Sequence, residues 1–238
     1  MNIAIIFAGG SGQRMNTKDR PKQFLMVHGK PIIVHVIEVF QRHPEIDGIV
    51  VACIENWIPY MQEMKDRFRL SKIGAIVPGG RTGQLSIYNA LRAAKDLYGE
   101  DNNIVLIHDG VRPLIDEKII TDNIIGVKEH DSAVTCGPAI ETFIIVDDDG
   151  RLVDVPNRNH SRVAKAPESF WMKELLDVHQ KALSEGIDDS IDSCTLMSMY
   201  GHDLYIVDGS SENIKITTPN DFYMFRAIAD AKENDQLV

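Results

Sequence analysis

Short runs of uninterrupted apolar residues alternate along this chain with helical patterns, and that alternation restricts the fold more than any other feature. "IAIIF" (3–7), "GIVVACI" (48–54) and "NIVLIHDG" (103–110) read as buried strands, and "GAIVPGG" (74–80) as a short strand and turn. Between them Ile33, Val36, Ile37 and Phe40 fall at i, i+3, i+4 and i+7 on a helix opened by Pro31. Further helices are expected over 56–70, 83–97 and 116–128. Strands apolar on both sides need helices over both faces, so the rhythm implies an α/β fold with a doubly wound, mostly parallel sheet. In such sheets ligands bind outside the carboxyl ends of the strands. Three polar strand ends, Ala8–Arg14, Gly79–Ser86 and His108–Arg112, should therefore meet in one crevice.

The pattern changes after residue 138. "ETFIIVDDDGRLVDV" (141–155) is two extended runs around an Asp-Gly turn, a hairpin signature. It is either a projecting arm, at about 139–160, or an antiparallel edge of the main sheet. Helices at 172–184, 190–199 and 219–232 and a strand at 203–207 are expected beyond it. With no internal repeat or low-complexity linker, residues 1–238 are expected to form a single domain.

A chain of 238 residues, 44% hydrophobic and 25% charged, can build its core without staples. The net charge of −10 argues against a nucleic-acid partner while leaving room for a local basic pocket for a small anion. Cys53, Cys136 and Cys194 form no CxxC pair and the eight histidines have no ligand spacing, which points to a reducing compartment and no zinc site. No stretch is long enough to span a bilayer, and "IAIIFA" is too short for a signal-peptide core. A soluble, cytoplasmic protein without a membrane partner is expected.

The first strand runs into "FAGGSGQRMNTKDRPKQF" (7–24). A P-loop fails for want of a Gly-Lys at the required offset, and the dinucleotide fingerprint fails because Gln13, Arg14 and Met15 follow Gly10-Ser11-Gly12. What remains is a glycine loop carrying its own cations, Arg14 and Lys22. Glycine amides can approach phosphate oxygens closely, Arg offers a planar fork and Lys a mobile point charge. That combination suits a phosphorus centre whose charge grows during reaction. The residues alone also leave open an exposed basic loop without a ligand.

Four segments occur in order: "AGGSGQRM…PKQF", then Gly79, Gly80 and Ser86, then "HDGVRP" (108–113), then "ENIKITTPNDF" (212–222). Together they make the chain resemble the polyol-phosphate cytidylyltransferases, which act on ribitol 5-phosphate or 2-C-methyl-D-erythritol 4-phosphate, over essentially its whole length. The resemblance implies a Rossmann-like nucleotidyltransferase domain with a β-hairpin arm, usually a homodimer. It implies that CTP and a polyol phosphate give a CDP-polyol and pyrophosphate, with Mg²⁺ as cofactor. Arg14, Lys22 and Lys215 would then be catalytic. Ala8, Gly9, Gly10, Gly12, Gly79, Gly80, Ser86 and Asp109 would bind the nucleotide, with Asp109 also the metal ligand. Arg112, Thr142 and Arg158 would contact the acceptor. "VPNR" and "PKQF" followed by "PIIVHVIEVF" are nearer the ribitol-phosphate members.

The chain departs from the family pattern at three places. Gly83 stands where the family has an arginine, with Arg81 two residues earlier. The usual TPQ is Ala166-Pro167-Glu168, and Ile191 replaces the threonine or serine before Asp192. Two hydroxyls of the acceptor pocket are thus replaced by apolar side chains. Either the acceptor differs, or residues such as Lys165 and Glu168 take over its contacts. Two other functions stay open: a sugar-1-phosphate nucleotidylyltransferase using another nucleotide, and a catalytically silent dimeric binding protein. "HDGVRP" and "NIKITTP" speak against the first, and retention of Arg14, Lys22, Asp109 and Lys215 against the second.

Overall fold

A computed structural model describes residues 1–10, 15 and 20–234. The chain enters through β1 (Asn2–Ala8) and forms a small hairpin from β2 (Met26–Val27) and β3 (Lys30–Pro31). Alternation follows: α1 (Ile32–Arg42), β4 (Gly48–Cys53), α2 (Ile58–Arg67), β5 (Ile73–Pro78), α3 (Gly83–Tyr98), β6 (Ile104–Asp109) and α4 (Glu117–His130). Then come β7 (Ser132–Pro138), the hairpin β8 (Ile145–Val146) and β9 (Leu152–Asp154), and β10 (Arg162–Trp171). The chain continues through α5 (Met172–Ser184), α6 (Ser193–Met199), β11 (Ile206–Asp208) and α7 (Pro219–Asn234).

The main sheet has seven strands in the order β11-β7-β10-β6-β1-β4-β5. All neighbours are parallel except β10, which runs antiparallel to both β6 and β7. Alternate residues of β1 point to opposite faces. Ala4 and Ile6 join a core beneath α1, α2 and α4, whereas Ile3 and Ile5 join one beneath α3, α5 and α6. A third cluster, with Val27, Ile32, Val111, Ile216 and Phe225, anchors α7 beside the carboxyl end of β1. From β1 the chain steps outward to β4 and β5, then returns to the other side of β1 as β6. That reversal opens a crevice at the carboxyl ends of β1 and β6.

The hairpin is the arm and not an edge of the main sheet: β8 and β9 form their own two-stranded sheet. Its turn is closed by Asp147, whose carboxylate accepts the Asp149 and Arg151 amides, with Gly150 at φ +78°. Residues 141–155 are all exposed. Two strands of the main sheet escape the periodicity argument. β10 carries Lys165, Pro167, Glu168 and Ser169, and β7 carries Ser132 and Thr135, so neither reads as an apolar run. Their buried polar groups are paired instead: Ser169 Oγ donates to Asn123 Oδ1 (2.9 Å), and Asn123 Nδ2 to Thr135 Oγ1 (2.8 Å).

Candidate active site

Glycines allow the strand ends to meet. A Cβ on Gly9 would lie 2.8 Å from Ser86 Oγ, and one on Gly79 3.1 Å from the same atom, so the end of β1, the turn after β5 and the start of α3 converge. A Cβ on Gly110 would lie 3.0 Å from Ala8 Cβ, and the Gly110 amide donates to the Phe7 carbonyl (3.0 Å), closing β6 against β1. Ser86 Oγ accepts the Gly80 amide (3.0 Å) and donates to the Thr82 carbonyl (2.8 Å). Thr82 in turn caps α3 by accepting the Leu85 amide. Buried Gln23 donates from Nε2 to the Ala8 carbonyl (2.6 Å), fastening the "PKQF" segment to β1.

Asp109 ends β6 and holds two cations. Arg112 Nε donates to its Oδ2 (2.8 Å), and Lys215 Nζ lies 2.7 Å from its Oδ1. Burial alone would raise this carboxyl's pKa, but Lys215 and Arg112 outweigh it and hold Asp109 ionised, below the usual carboxylate range. Lys215 is brought from far along the chain by fully buried Asn213, whose Nδ2 donates to the Ala166 carbonyl (2.7 Å). The Asn213 carbonyl accepts Arg112 (3.0 Å), and the Ile216 amide donates to the Val111 carbonyl (2.9 Å). Lys22 Nζ donates to the Ile216 carbonyl (2.9 Å). Cations from both ends of the chain therefore meet at the end of β6. Behind them His108 is fully buried, and burial pushes its pKa down to about 4, so it adds no charge.

Beside Asp109 is a cavity of about 110 Å³. Arg112, Lys165 and Lys215 supply its cations, Glu168, Asp192 and Ser193 its acids and hydroxyl, and Ile87, Ala166 and Ile191 are among its apolar walls. Glu168 Oε2 accepts the amides of Ser193 (2.9 Å) and Cys194 (3.0 Å). Burial, reinforced by the charge of Asp192, pushes the Glu168 carboxyl up to about 8. Burial and the neighbouring Arg112 lower the pKa of Lys165, which donates to the Ser211 and Asn213 carbonyls (both 3.3 Å).

Sequence comparison places this geometry. The family model described as 2-C-methyl-D-erythritol 4-phosphate cytidylyltransferase matches residues 2–231. The chain belongs to this family. It is 55% identical over 237 residues to the ribitol-5-phosphate cytidylyltransferase of Streptococcus agalactiae serotype III, covering 100% of this chain and 99% of that one. It is 38% identical to the 2-C-methyl-D-erythritol 4-phosphate cytidylyltransferase of Clostridium acetobutylicum, over 94% of this chain and 95% of that one. Among solved structures, the 4-diphosphocytidyl-2C-methyl-D-erythritol synthase of Anaerococcus prevotii superimposes with a TM-score of 0.81 at 25% identity, covering 96% and 98% of the two chains. The chain is thus a nucleotidyltransferase of the cytidylyl-transferring class.

The structure brings most of the expected residues of this cytidylyltransferase together. Ala8, Gly9, Gly79, Gly80 and Ser86 line up at adjoining strand ends, and Lys22, Asp109, Arg112 and Lys215 cluster beside them. Gly10 is exposed where β1 ends; Gly12 and Arg14 lie outside the described residues. Thr142 and Arg158 are exposed on the arm and its base and do not line the cavity of their own chain. Arg81 is paired with Asp188, which directs it to the 185–192 loop. Sequence reasoning missed Gln23, Asn213 and Ser193. The first two act through backbone carbonyls, which leave no pattern in side-chain chemistry.

Proposed function

We propose that this chain transfers CMP from CTP to ribitol 5-phosphate, forming CDP-ribitol and pyrophosphate. The 55% identity to a protein of that name over the whole chain carries the acceptor assignment; the relative named for 2-C-methylerythritol 4-phosphate is more distant. A phosphate oxygen of the acceptor attacks the α-phosphorus of CTP, and the bond from that phosphorus to the departing pyrophosphate breaks. The nucleophile is already anionic, so the site needs no general base. Its work is alignment and charge stabilisation. Lys22 and Arg14 hold the triphosphate, and Lys215, fixed by Asp109, adds positive charge where the pentacoordinate phosphorus forms. Ser86 holds the Gly79-Gly80 turn against the nucleoside.

Magnesium fits the donor set at Asp109. It takes hard oxygen ligands, usually one or two carboxylates plus substrate phosphates, and Asp109 is ionised where the cations gather. Asp109 would hold it with the triphosphate, and the ion would neutralise phosphate charge. Among the described residues the other candidate cluster, Glu168, Asp192 and Cys194, contains a thiol and an acid titrating near 8, which suits magnesium poorly. Arg158 and Thr142 reach the acceptor from the arm of a second copy, so the working unit is a homodimer of single-domain chains in the cytoplasm.

The test is a matrix of the four nucleoside triphosphates against ribitol 5-phosphate, 2-C-methylerythritol 4-phosphate and a sugar 1-phosphate, with Mg²⁺, following pyrophosphate. Release confined to CTP with ribitol 5-phosphate is expected. Release only with a sugar 1-phosphate would overturn the reading.

A further inference from the structure

The cavity beside Asp109 holds two separate sets of polar groups. Arg112, Lys165 and Lys215 are cations converging on Asp109 and the Asn213 carbonyl, and they suit a phosphate. One strand away, on β10 and at the start of α6, Glu168 and Ser193 face the same space. Glu168 is 6% exposed, and its Oε2 accepts two backbone amides, which fixes the carboxyl in the cavity wall. Ser193 is 2% exposed, and its Oγ has no hydrogen-bond partner among the described residues. A buried hydroxyl without a partner is uncommon and unfavourable. Here it lies beside a cavity that can hold the missing partner.

The apolar replacements lie in the same wall. Ala166 is two residues before Glu168, and Ile191 is two before Ser193; both line the cavity. Hydroxyl groups expected at 166 and 191 are absent, while an acid stands two residues further along the first segment and a hydroxyl two residues further along the second.

We propose that Glu168 and Ser193 determine acceptor specificity by hydrogen-bonding the hydroxyls of the acceptor's carbon chain. This rests on the reading of the chain as a polyol-phosphate cytidylyltransferase. A polyol hydroxyl both donates and accepts, which matches a carboxyl and a serine hydroxyl placed together. Fixed by the Ser193 and Cys194 amides, the carboxyl discriminates by geometry, and an acceptor lacking the hydroxyl leaves two buried groups unpaired. Around Glu168 lie Asp109 from β6, Cys136 from β7, and Asp192 and Cys194 from the α6 end, and the cations Arg112, Lys165 and Lys215 line the same cavity. Those cations are engaged elsewhere, Arg112 and Lys215 with Asp109 and Lys165 with the Ser211 and Asn213 carbonyls, so Glu168 is placed to hydrogen-bond a ligand hydroxyl.

The test measures kcat and KM for ribitol 5-phosphate and for glycerol 3-phosphate, which has fewer hydroxyls, in the wild type, Glu168→Ala, Glu168→Gln and Ser193→Ala. Glu168→Ala is expected to raise the KM for ribitol 5-phosphate about tenfold, the size of one lost hydrogen bond, with the KM for CTP within about twofold. The preference for ribitol 5-phosphate over glycerol 3-phosphate should fall by the same factor. Glu168→Gln, which can still donate and accept, should recover most of it. Ser193→Ala, a small change that keeps the helix start, should weaken ribitol 5-phosphate selectively even where Glu168→Ala misfolds. Equal losses for both acceptors, a fall in kcat at constant KM, or an unaltered preference in Ser193→Ala would overturn the proposal. Wild-type protein inactive with every polyol phosphate would overturn the parent reading as well; an active wild type with insensitive variants would overturn this inference alone.

Discussion

At the scale of single residues, Lys22 and Glu168 show how position sets the work of a charge. Lys22 is held by the Ile216 carbonyl next to Lys215, so its cation is preplaced before any substrate binds. Lys22→Ala should lower kcat by about 10²–10³-fold, the usual scale for one preorganised charge or donor, while the CTP Kd changes less than about tenfold. Pyrophosphate release together with calorimetric CTP titration separates the two, and equal losses in both would make Lys22 a simple binding residue. Glu168 carries its consequence into stability. Its carboxyl titrates at about 8 in the folded chain against an ordinary 4.5, because burial disfavours the charged form. Between those values the folded protein keeps a proton that the unfolded chain has lost, so its stabilising contribution is complete below 4.5 and gone above about 8. Glu168→Gln lacks this titration. Melting curves from pH 4.5 to 9 should therefore show the variant gaining on the wild type through the window and then running parallel. The total gain is at most a few kcal/mol, from about 1.4 kcal/mol per pH unit. Curves parallel throughout would mean that Glu168 is ionised in the folded state.

At the scale of elements, the site depends on three strand ends touching without side chains between them. Gly9→Ala would place a methyl 2.8 Å from Ser86 Oγ, although the next nearest atom, Ser86 Cβ, lies at an ordinary 3.6 Å. Ser86→Ala removes the obstructing oxygen but strands the Gly80 amide. Each single variant should lose about 1–2 kcal/mol, and the double variant about 1 kcal/mol less than their sum, a coupling expected only of neighbours. Denaturant melts of the four proteins measure it, and strict additivity would place the strain elsewhere. The same elements show what the sequence could and could not convey. The helix expected over 172–184 is observed as Met172–Ser184, because Met172, Leu175, Leu176 and Ala182 repeat at helical spacing on its buried face. β10 lies between β6 and β7 in the sheet, yet its residues read as loop: Pro167 lacks an amide for the ladder, and the register shifts between Ala164 and Glu168. Its polarity is tolerated because tertiary partners, Asn123 for Ser169 and two α6 amides for Glu168, satisfy it, and no local pattern announces partners so distant. For the same reason Lys22, Asp109 and Lys215 were legible as chemistry, whereas Asn213, which brings Lys215 to Asp109, was not.

At the scale of the whole molecule, the arm is out of keeping with the rest. Ile144, Val146, Leu152 and Val153 are 50–62% exposed on a two-stranded hairpin, a unit that is marginal on its own in water. Contiguous exposed apolar surface of this kind marks a place for a partner. Thr142 and Arg158 stand on the same projection, away from their own chain's cavity, so their proposed acceptor contacts require a second copy. The residues proposed for the nucleotide, by contrast, come together within one chain around β1, β5 and β6. Dimerisation through the arm and acceptor use should therefore fail together while CTP binding survives. The double variant Ile144→Asp and Val153→Asp is expected to sediment as a monomer where the wild type sediments as a dimer. Its CTP Kd should stay within about twofold, and its turnover of ribitol 5-phosphate should drop by about 10²-fold or more, because the proposed Arg158 contact to the acceptor phosphate would be lost with the partner. Analytical ultracentrifugation, CTP titration and pyrophosphate release on the same preparation test all three. A monomer with wild-type turnover would show that each chain completes its acceptor site alone, and the arm would then need another partner to cover it.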